Sequence, residues 1–397
     1  MCLFNLKILL IKIYSKILFD YLNFKSIKIN ITIIRTTYYI EKDKIVIRTT
    51  PTMRQFIYKL IANVSNGLNK KNHAKKTIPS SSSLQQILWK PDQSYYEYDN
   101  VNHYSFHSSK FIQSTFTKEG ERFIKMNPPH TMMQQKLKDI LTGFFGMRHV
   151  DAASLLQINK MFVLDSITLL NLLKIQDDDE TTMSTVNNNK NNINNSTTSS
   201  SSINFNTVLD VGAGDGYVTQ VAYYPLFKNI EVTEASAGCI ESLKNNPFIT
   251  NVHFETRIKK FITTTSANIN DKKMNTIDLI SMLNVLDRCD KPLTMLKDAH
   301  ACLQNSNGKL IIALTYPHRP FVVEKDVLKA EQAETFDKLD IQTTFEEFID
   351  KTIEHLNDLN FNVNAFSRVP YICVGSENQN DDPYSCLSCA LFVCSVK

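Results

Sequence analysis

No stretch of this 397-residue chain is apolar for long enough to span a bilayer. The nearest, Leu3 to Leu22, is broken by Lys7, Lys12, Lys16 and Asp20, whereas a spanning helix needs about 20 residues with few or no charges. Lys12 also cuts the run short of the usual core of a secretory signal. The lysines gather on one helical face, which leaves three readings of this end open: a basic amphipathic anchor with weak membrane contact, a transit peptide or poor signal sequence, or an unstructured extension. Cysteine is sparse, eight residues scattered along the chain, which excludes a small disulfide-stapled secreted fold. Reduced thiols in an intracellular chain follow, cytoplasmic or associated with endomembranes or mitochondria. Cys386-x-x-Cys389, with Cys373 before and Cys394 beyond, has a zinc-like spacing. The surrounding stretch reads instead as a buried final strand, and no metal is expected. Positive charge is also unevenly supplied. Residues 1 to 80 carry 15 Lys/Arg against 3 Asp/Glu, a net of +12, so within a total of +4 the remainder carries −8. An acidic body repels a nucleic-acid backbone, and no nucleic-acid partner is expected. Nothing in the sequence specifies an oligomeric state.

Two nucleotide-binding signatures are missing as well, G-x-G-x-x-G and Gly-Lys-Ser/Thr. What stands in their place is Val208-Leu-Asp-Val-Gly-Ala-Gly-Asp-Gly216, an apolar strand ending in an acid and then three glycines at a spacing of two. Gly212, Gly214 and Gly216 let a cofactor approach the backbone where no Cβ intervenes, and they permit a tight strand-to-helix turn. A second strand, Ile230 to Thr233, delivers Glu234 about 20 residues later, where a carboxylate can accept both hydroxyls of a ribose. An acid inside the loop, Asp210 or Asp215, suits a cationic amino and sulfonium group and repels a pyrophosphate. The pattern points to S-adenosylmethionine (AdoMet) as the cofactor. The alternative is an ordinary tight turn after a buried strand.

Four segments follow from composition and periodicity. Residues 1–100 form a basic extension and linker, with Lys-Lys pairs and Ser80 to Ser83 too polar to build a core. Residues 101–175 recur at helical spacing, with Asp165 a candidate N-cap for the helix after it. Residues 176–206 are acidic and then Asn/Ser-rich and read as a disordered insertion whose loss leaves the chemistry intact. Residues 207–397 alternate strands with amphipathic stretches, the rhythm of a parallel sheet covered by helices. Strands are expected near 207–211, 229–233, 251–255, 277–283, 308–315, 363–370 and 389–395, and helices near 216–224, 236–245, 292–304 and 344–359. The last two strands leave no room for a crossover helix and should pair antiparallel. The fold class is therefore α/β, a Rossmann-like seven-stranded sheet of the class I AdoMet-dependent methyltransferases, preceded by a helical segment. Asp287, after the strand that lies beside the first, occupies the position that faces a reacting group in a doubly wound sheet. A plain N-cap or solvated acid is the alternative there.

Four strings together resemble the DREV methyltransferases, a family of protein-histidine N-pros-methyltransferases: Gly212 to Gly216, Thr233 to Ser236, Leu286-Asp-Arg-Cys-Asp-Lys-Pro-Leu-Thr294, and Arg368-Val-Pro-Tyr-Ile-Cys373. The resemblance covers roughly Phe111 to Val396 apart from the Asn-rich insertion. It implies methyl transfer from AdoMet to the π nitrogen (Nδ1) of histidine in His-x-His sequences of protein or peptide substrates. For that reaction a carboxylate accepting from the far N–H would orient the imidazole, and Asp287 is the candidate for it; the family pattern implies that Tyr371 borders the peptide slot. The other reading of Tyr371 is a half-buried strand aromatic. Asn284 and Arg288 flank the acid, Asn284 on the cofactor side and Arg288 towards substrate, though Arg288 can equally pair with Asp290. Tyr384 keeps one member of a family aromatic pair whose second is Ser385 here, and is a candidate substrate contact. Two departures stand out. Arg319 in Pro317-His-Arg-Pro320 occupies a place where the family has histidine, and Gln157 to Lys160 replaces a Gly-Arg-Gly-Ser cofactor loop, with Lys160 the only remaining cation. Alternatives to histidine transfer are an AdoMet methyltransferase with another nucleophile, or an inactive AdoMet-fold binding protein.

Overall fold

The computed structural model describes residues 37–41, 44–48, 89–98, 107–143, 147–158, 160–174, 205–255, 257–258, 261, 277–304, 306–324, 327–329, 332–335, 344–377 and 382–397. The chain divides into two units, Met1–Ser82 and Ser83–Lys397. In the first, β1 (Thr37–Glu41) and β2 (Lys44–Arg48) form an antiparallel hairpin. The amphipathic segment at Leu3 to Leu22, the linker at 65–83 and the bulk of the 176–206 insertion lie outside the described residues. No helix among the described residues is long and apolar enough to cross a membrane.

The second unit begins with α1 (Lys118–Met126), α2 (Met132–Gly143), α3 (His149–Leu156), β3 (Met161–Phe162) and α4 (Ser166–Lys174). Asp165 caps α4 as expected, its Oδ1 accepting from the Thr168 N–H at 2.9 Å. Then come β4 (Phe205–Val211), β5 (Phe227–Thr233), α5 (Ala237–Lys244), β6 (Asn251–His253), β7 (Leu279–Leu283), α6 (Pro292–Leu303) and β8 (Lys309–Tyr316). A small hairpin, β9 (Val322–Glu324) and β10 (Val327–Lys329), precedes α7 (Phe345–Asp358), β11 (Phe361–Val374) and β12 (Tyr384–Val396).

The main sheet runs β3-β11-β12-β8-β7-β4-β5-β6. Strands β6, β5, β4, β7 and β8 are parallel, whereas β12 and β11 return antiparallel. That is the class I AdoMet-dependent methyltransferase sheet, with one strand more than the sequence pattern shows. The eighth, β3, is only two residues long and pairs with Ile372 and Cys373, too short for a period-two signal. The central strand β8 is buried along six consecutive residues, Leu310 to Thr315, the first five of them apolar, as a parallel strand covered by helices requires. α7 is amphipathic at helical spacing, burying Phe345, Phe348, Ile349, Thr352, Ile353 and Leu356, and opens with a capping box between Thr344 and Glu347. It covers one sheet face with α6, while α4 and the segment after β4 cover the other.

Two expectations are refined. The helix expected near 216–224 is present over residues 217–223, its last five, Thr219–Tyr223, wound as a wide π helix. It places Thr219 and Tyr223 one turn apart, and both hydroxyls reach the sheet, Thr219 at Asp210 on β4 and Tyr223 at Ser281 in the middle of β7. The boundary at residue 100 also falls too late. Trp89 packs on Tyr384, and Tyr98 stacks on Phe111 within the core, so at least residues 89–98 belong to the folded unit.

Candidate functional site

The carboxyl ends of β4, β5, β7 and β8 lie side by side, and the sequence candidates collect there. After β4 the three glycines take φ values of +71°, +60° and +82° at Gly212, Gly214 and Gly216, a region that side chains resist. A Cβ on Gly212 would come within 2.7 Å of a Val285 methyl, so this turn also touches the β7 loop. At Gly214 a Cβ would meet nothing within 4 Å, which leaves an open cradle above the loop backbone. Glu234, at the tip of β5, closes the cradle: its Oε2 accepts from the Gly214 N–H at 2.9 Å, and its Oε1 from the N–H groups of Ala235 and Ser236. Burial raises the Glu234 pKa, and the backbone donors oppose the shift. Glycine backbone, open space and one carboxylate at that spacing fit the ribose and amino-acid ends of AdoMet.

The two loop acids separate. Asp210 is buried and accepts from the Thr219 hydroxyl at 2.6 Å. Burial pushes its pKa up to about 6, against hydrogen bonds from Thr219 and Ser281 that lower it. It braces β4 against the turn after it and against β7 from within. Asp215 stays half-buried on the loop, accepts from the Tyr217 N–H at 3.1 Å and lies 3.7 Å from Lys160 Nζ. The lone cation of the departed loop at Gln157 to Lys160 therefore does reach the glycine loop. Gln157 closes α3 in a left-handed conformation and donates to the Ser242 hydroxyl at 3.2 Å; Asn159 lies outside the described residues.

Past β7, Asn284 also has positive φ, +53°, and its N–H donates to the Ala313 carbonyl. Its side-chain oxygen is 3.6 Å from the Cys389 thiol. Three residues on, Asp287 has no exposed surface. Its Oδ2 accepts from Arg288 Nη1 at 2.8 Å and from the Thr315 hydroxyl at 3.2 Å. Its Oδ1 is buried and has no hydrogen-bond partner among the described residues. Arg288 thus pairs with Asp287 and not with Asp290, and its guanidinium stacks 3.8 Å from the centre of the Phe321 ring. The turn is fastened from two further sides: the Phe321 N–H donates to the Asp287 carbonyl, and the Gln332 amide donates to the carbonyls of Leu286 and Cys289.

Tyr371 on β11 touches Met161 through its hydroxyl. Burial pushes that hydroxyl well above its usual pKa, with Cys373 and Asp287 adding and Arg288 opposing, so Tyr371 shares the electrostatic environment of the Asp287 turn. Tyr384 does not. It is buried under Trp89, its hydroxyl within hydrogen-bonding distance of the Ile124 and Asn127 carbonyls at the end of α1. Cys386 and Cys389, three apart on β12, face opposite sides of the sheet, and all seven cysteines among the described residues are free thiols.

Two neighbours of Asp287 escaped sequence reasoning. Thr315 lies next to the end of β8, after the apolar run Leu310 to Leu314. His318 is buried in the loop beside Arg319. Burial lowers its pKa, Asp287 opposes, and Arg288 reinforces the lowering.

The DREV methyltransferase family model matches residues 108–395. The chain belongs to the DREV methyltransferase family. It is an AdoMet-dependent methyltransferase, and the strings around Gly212, Glu234, Asp287 and Tyr371 fall inside the matched span. Among solved structures, it is similar to a SAM-dependent methyltransferase from Leishmania major, 17% identical, with 50% of this chain and 67% of that one covered and a TM-score of 0.29. A ribosomal protein L11 methylase from Lactobacillus delbrueckii subsp. bulgaricus is 15% identical, with 48% and 69% covered and a TM-score of 0.25. A protein solved as the DhpI–SAH complex is 14% identical, with 49% and 78% covered and a TM-score of 0.28.

Proposed function

We propose that this DREV methyltransferase is a protein-histidine N-methyltransferase, acting on the Nδ1 atom of histidine in His-x-His sequences. The observation that carries this reading is the half-satisfied carboxylate of Asp287, one oxygen held by Arg288 and Thr315 and the other buried without a partner among the described residues. A buried carboxylate oxygen left unpaired is costly, and a donor N–H from a substrate relieves that cost. An imidazole has one such N–H in its neutral form.

AdoMet, held by the glycine loop and Glu234, supplies an electrophilic methyl group. The chain's own residues supply aim. Neutral imidazole, with an ordinary pKa near 6.5, already carries a lone pair at physiological pH, so no residue has to deprotonate it first. Asp287 Oδ1, accepting from the Nε2–H, selects the tautomer whose lone pair is on Nδ1 and raises its basicity. After transfer the ring is an imidazolium, and the same oxygen stabilises its positive charge. Arg288 keeps the carboxylate oriented by holding the opposite oxygen, and Tyr371 supplies an aromatic wall with a hydroxyl that burial keeps protonated. A body of net charge −8 over residues 81–397 suits a neutral or cationic peptide substrate.

Incubation with AdoMet and paired peptides, one containing His-Ala-His and one with both histidines replaced by alanine, tests the reading. Methyl incorporation confined to the histidine peptide, mapped to a histidine by fragmentation, is the expected result. Incorporation at any other side chain points to a different nucleophile. Binding of AdoMet without turnover on any histidine peptide points to a binding protein.

A further inference from the structure

A dense polar contact between the N-terminal helices and the sheet half of the unit falls beside Glu234. Asp151, in the first turn of α3, is 5% exposed, and its carboxylate takes four donors. Arg148 Nε donates at 2.8 Å and Nη2 at 3.1 Å; the Ser236 hydroxyl donates at 2.5 Å and the Gly238 N–H at 3.1 Å. Arg148 Nη2 also reaches the Ala235 carbonyl at 3.2 Å. The approach is close enough that a Cβ on Gly238 would sit 2.9 Å from the Asp151 carbonyl oxygen.

Every group on the receiving side belongs to the turn that presents Glu234. The Ser236 N–H donates to Glu234 Oε1 at 2.8 Å, while the Ser236 hydroxyl, fixed by Asp151, accepts from the Cys239 N–H and so caps α5. Burial alone would raise the Asp151 pKa, but its donors outweigh it and the carboxyl titrates below its ordinary range. The positive charge of Arg148 also counters the upward push of burial on Glu234. A buried ion pair is poor evidence for stability in itself, since desolvation offsets most of the attraction. What it does is hold two elements in one register.

We infer that Arg148 and Asp151 are positioning residues for the cofactor, clamping the Glu234–Gly238 turn so that the Glu234 carboxylate is held ready for the ribose hydroxyls. The inference rests on AdoMet occupying the Gly214–Glu234 cradle and is independent of the histidine substrate. It assigns the helical layer a part in cofactor affinity, since α3 carries the clamp and leads directly into the departed loop at Gln157 to Lys160.

The test is a double-mutant cycle read as S-adenosylhomocysteine affinity by calorimetry on the full chain: the parent, Asp151→Asn, Glu234→Ala and the double variant. Asp151→Asn should weaken binding about 10-fold in the parent and less than about twofold when Glu234 is already alanine, because the clamp acts through that carboxylate. Equal losses in both backgrounds, or no loss in the parent, would overturn the clamp while leaving the ribose assignment standing. No loss for Glu234→Ala alone would remove the ribose assignment and the clamp together. Should Asp151→Asn fold poorly, Arg148→Ala, at a half-exposed position, must show the same background-dependent loss for the clamp to survive.

Discussion

Asp287 illustrates how a single side chain can be committed on one edge and open on the other. Arg288 and Thr315 fix Oδ2, while Oδ1 is buried and has no partner among the described residues. Asp287→Ala should therefore leave AdoMet affinity within about twofold of the parent while methyl transfer to a histidine peptide falls about 100-fold or more. Comparable turnover of the two proteins would remove Asp287 from the chemistry. Asp210 makes the opposite case, an acid whose environment penalises its charge. Its pKa in the folded chain is pushed up to about 6 by burial, against about 3.9 in an unfolded chain. Between those values the folded state keeps a proton that the unfolded state has released. Stability is thus lost as pH rises through the window, and the deficit is complete above it, at about 3 kcal/mol. Asp210→Asn, with no charge to bury, should melt higher than the parent at pH 7.5, and the difference in Tm should close towards pH 4. A gap that does not change with pH would contradict the assignment.

At the level of elements, periodicity and turn chemistry were strong guides where the signal is local. The glycine spacing, the Glu234 position and seven strands of the main sheet, β4 to β8 with β11 and β12, are all readable, because central parallel strands are largely apolar runs and their loops carry Gly, Asp or Pro. Gly212 is where local geometry and the site meet, and Gly212→Ala should cost about 1–3 kcal/mol from its +71° φ and its approach to Val285. A loss of cofactor affinity larger than the loss of stability is expected, measured by calorimetry alongside denaturant melts. What escaped the sequence depends on tertiary partners. A two-residue strand such as β3 exists only because Ile372 and Cys373 pair with it. The π winding of the helix at Thr219–Tyr223 accompanies buried hydroxyl contacts to Asp210 and Ser281, tertiary partners that spacing does not show. The ion pair of Arg288 with its sequence neighbour, in place of Asp290, and the commitment of Tyr384 to the end of α1 are likewise decided by packing that no spacing encodes.

For the whole molecule, the matched family span and the packed unit nearly coincide, and the packing reaches further towards the N-terminus. The family match begins at residue 108, yet Trp89, Tyr96 and Tyr98 already pack against the unit. The Asn/Ser-rich stretch between α4 and β4 has too few apolar residues to contribute a core. A chain lacking residues 176–200 should bind S-adenosylhomocysteine within about twofold of the parent; a tenfold loss would give that stretch a part in the site. The central claim, that a buried acid selects which ring nitrogen attacks, is most directly tested by heteronuclear NMR of a His-Ala-His peptide after methylation, which assigns the new methyl to one ring atom. Methyl on Nδ1 is the expected result. Methyl on Nε2, or on any atom outside the imidazole, would contradict it.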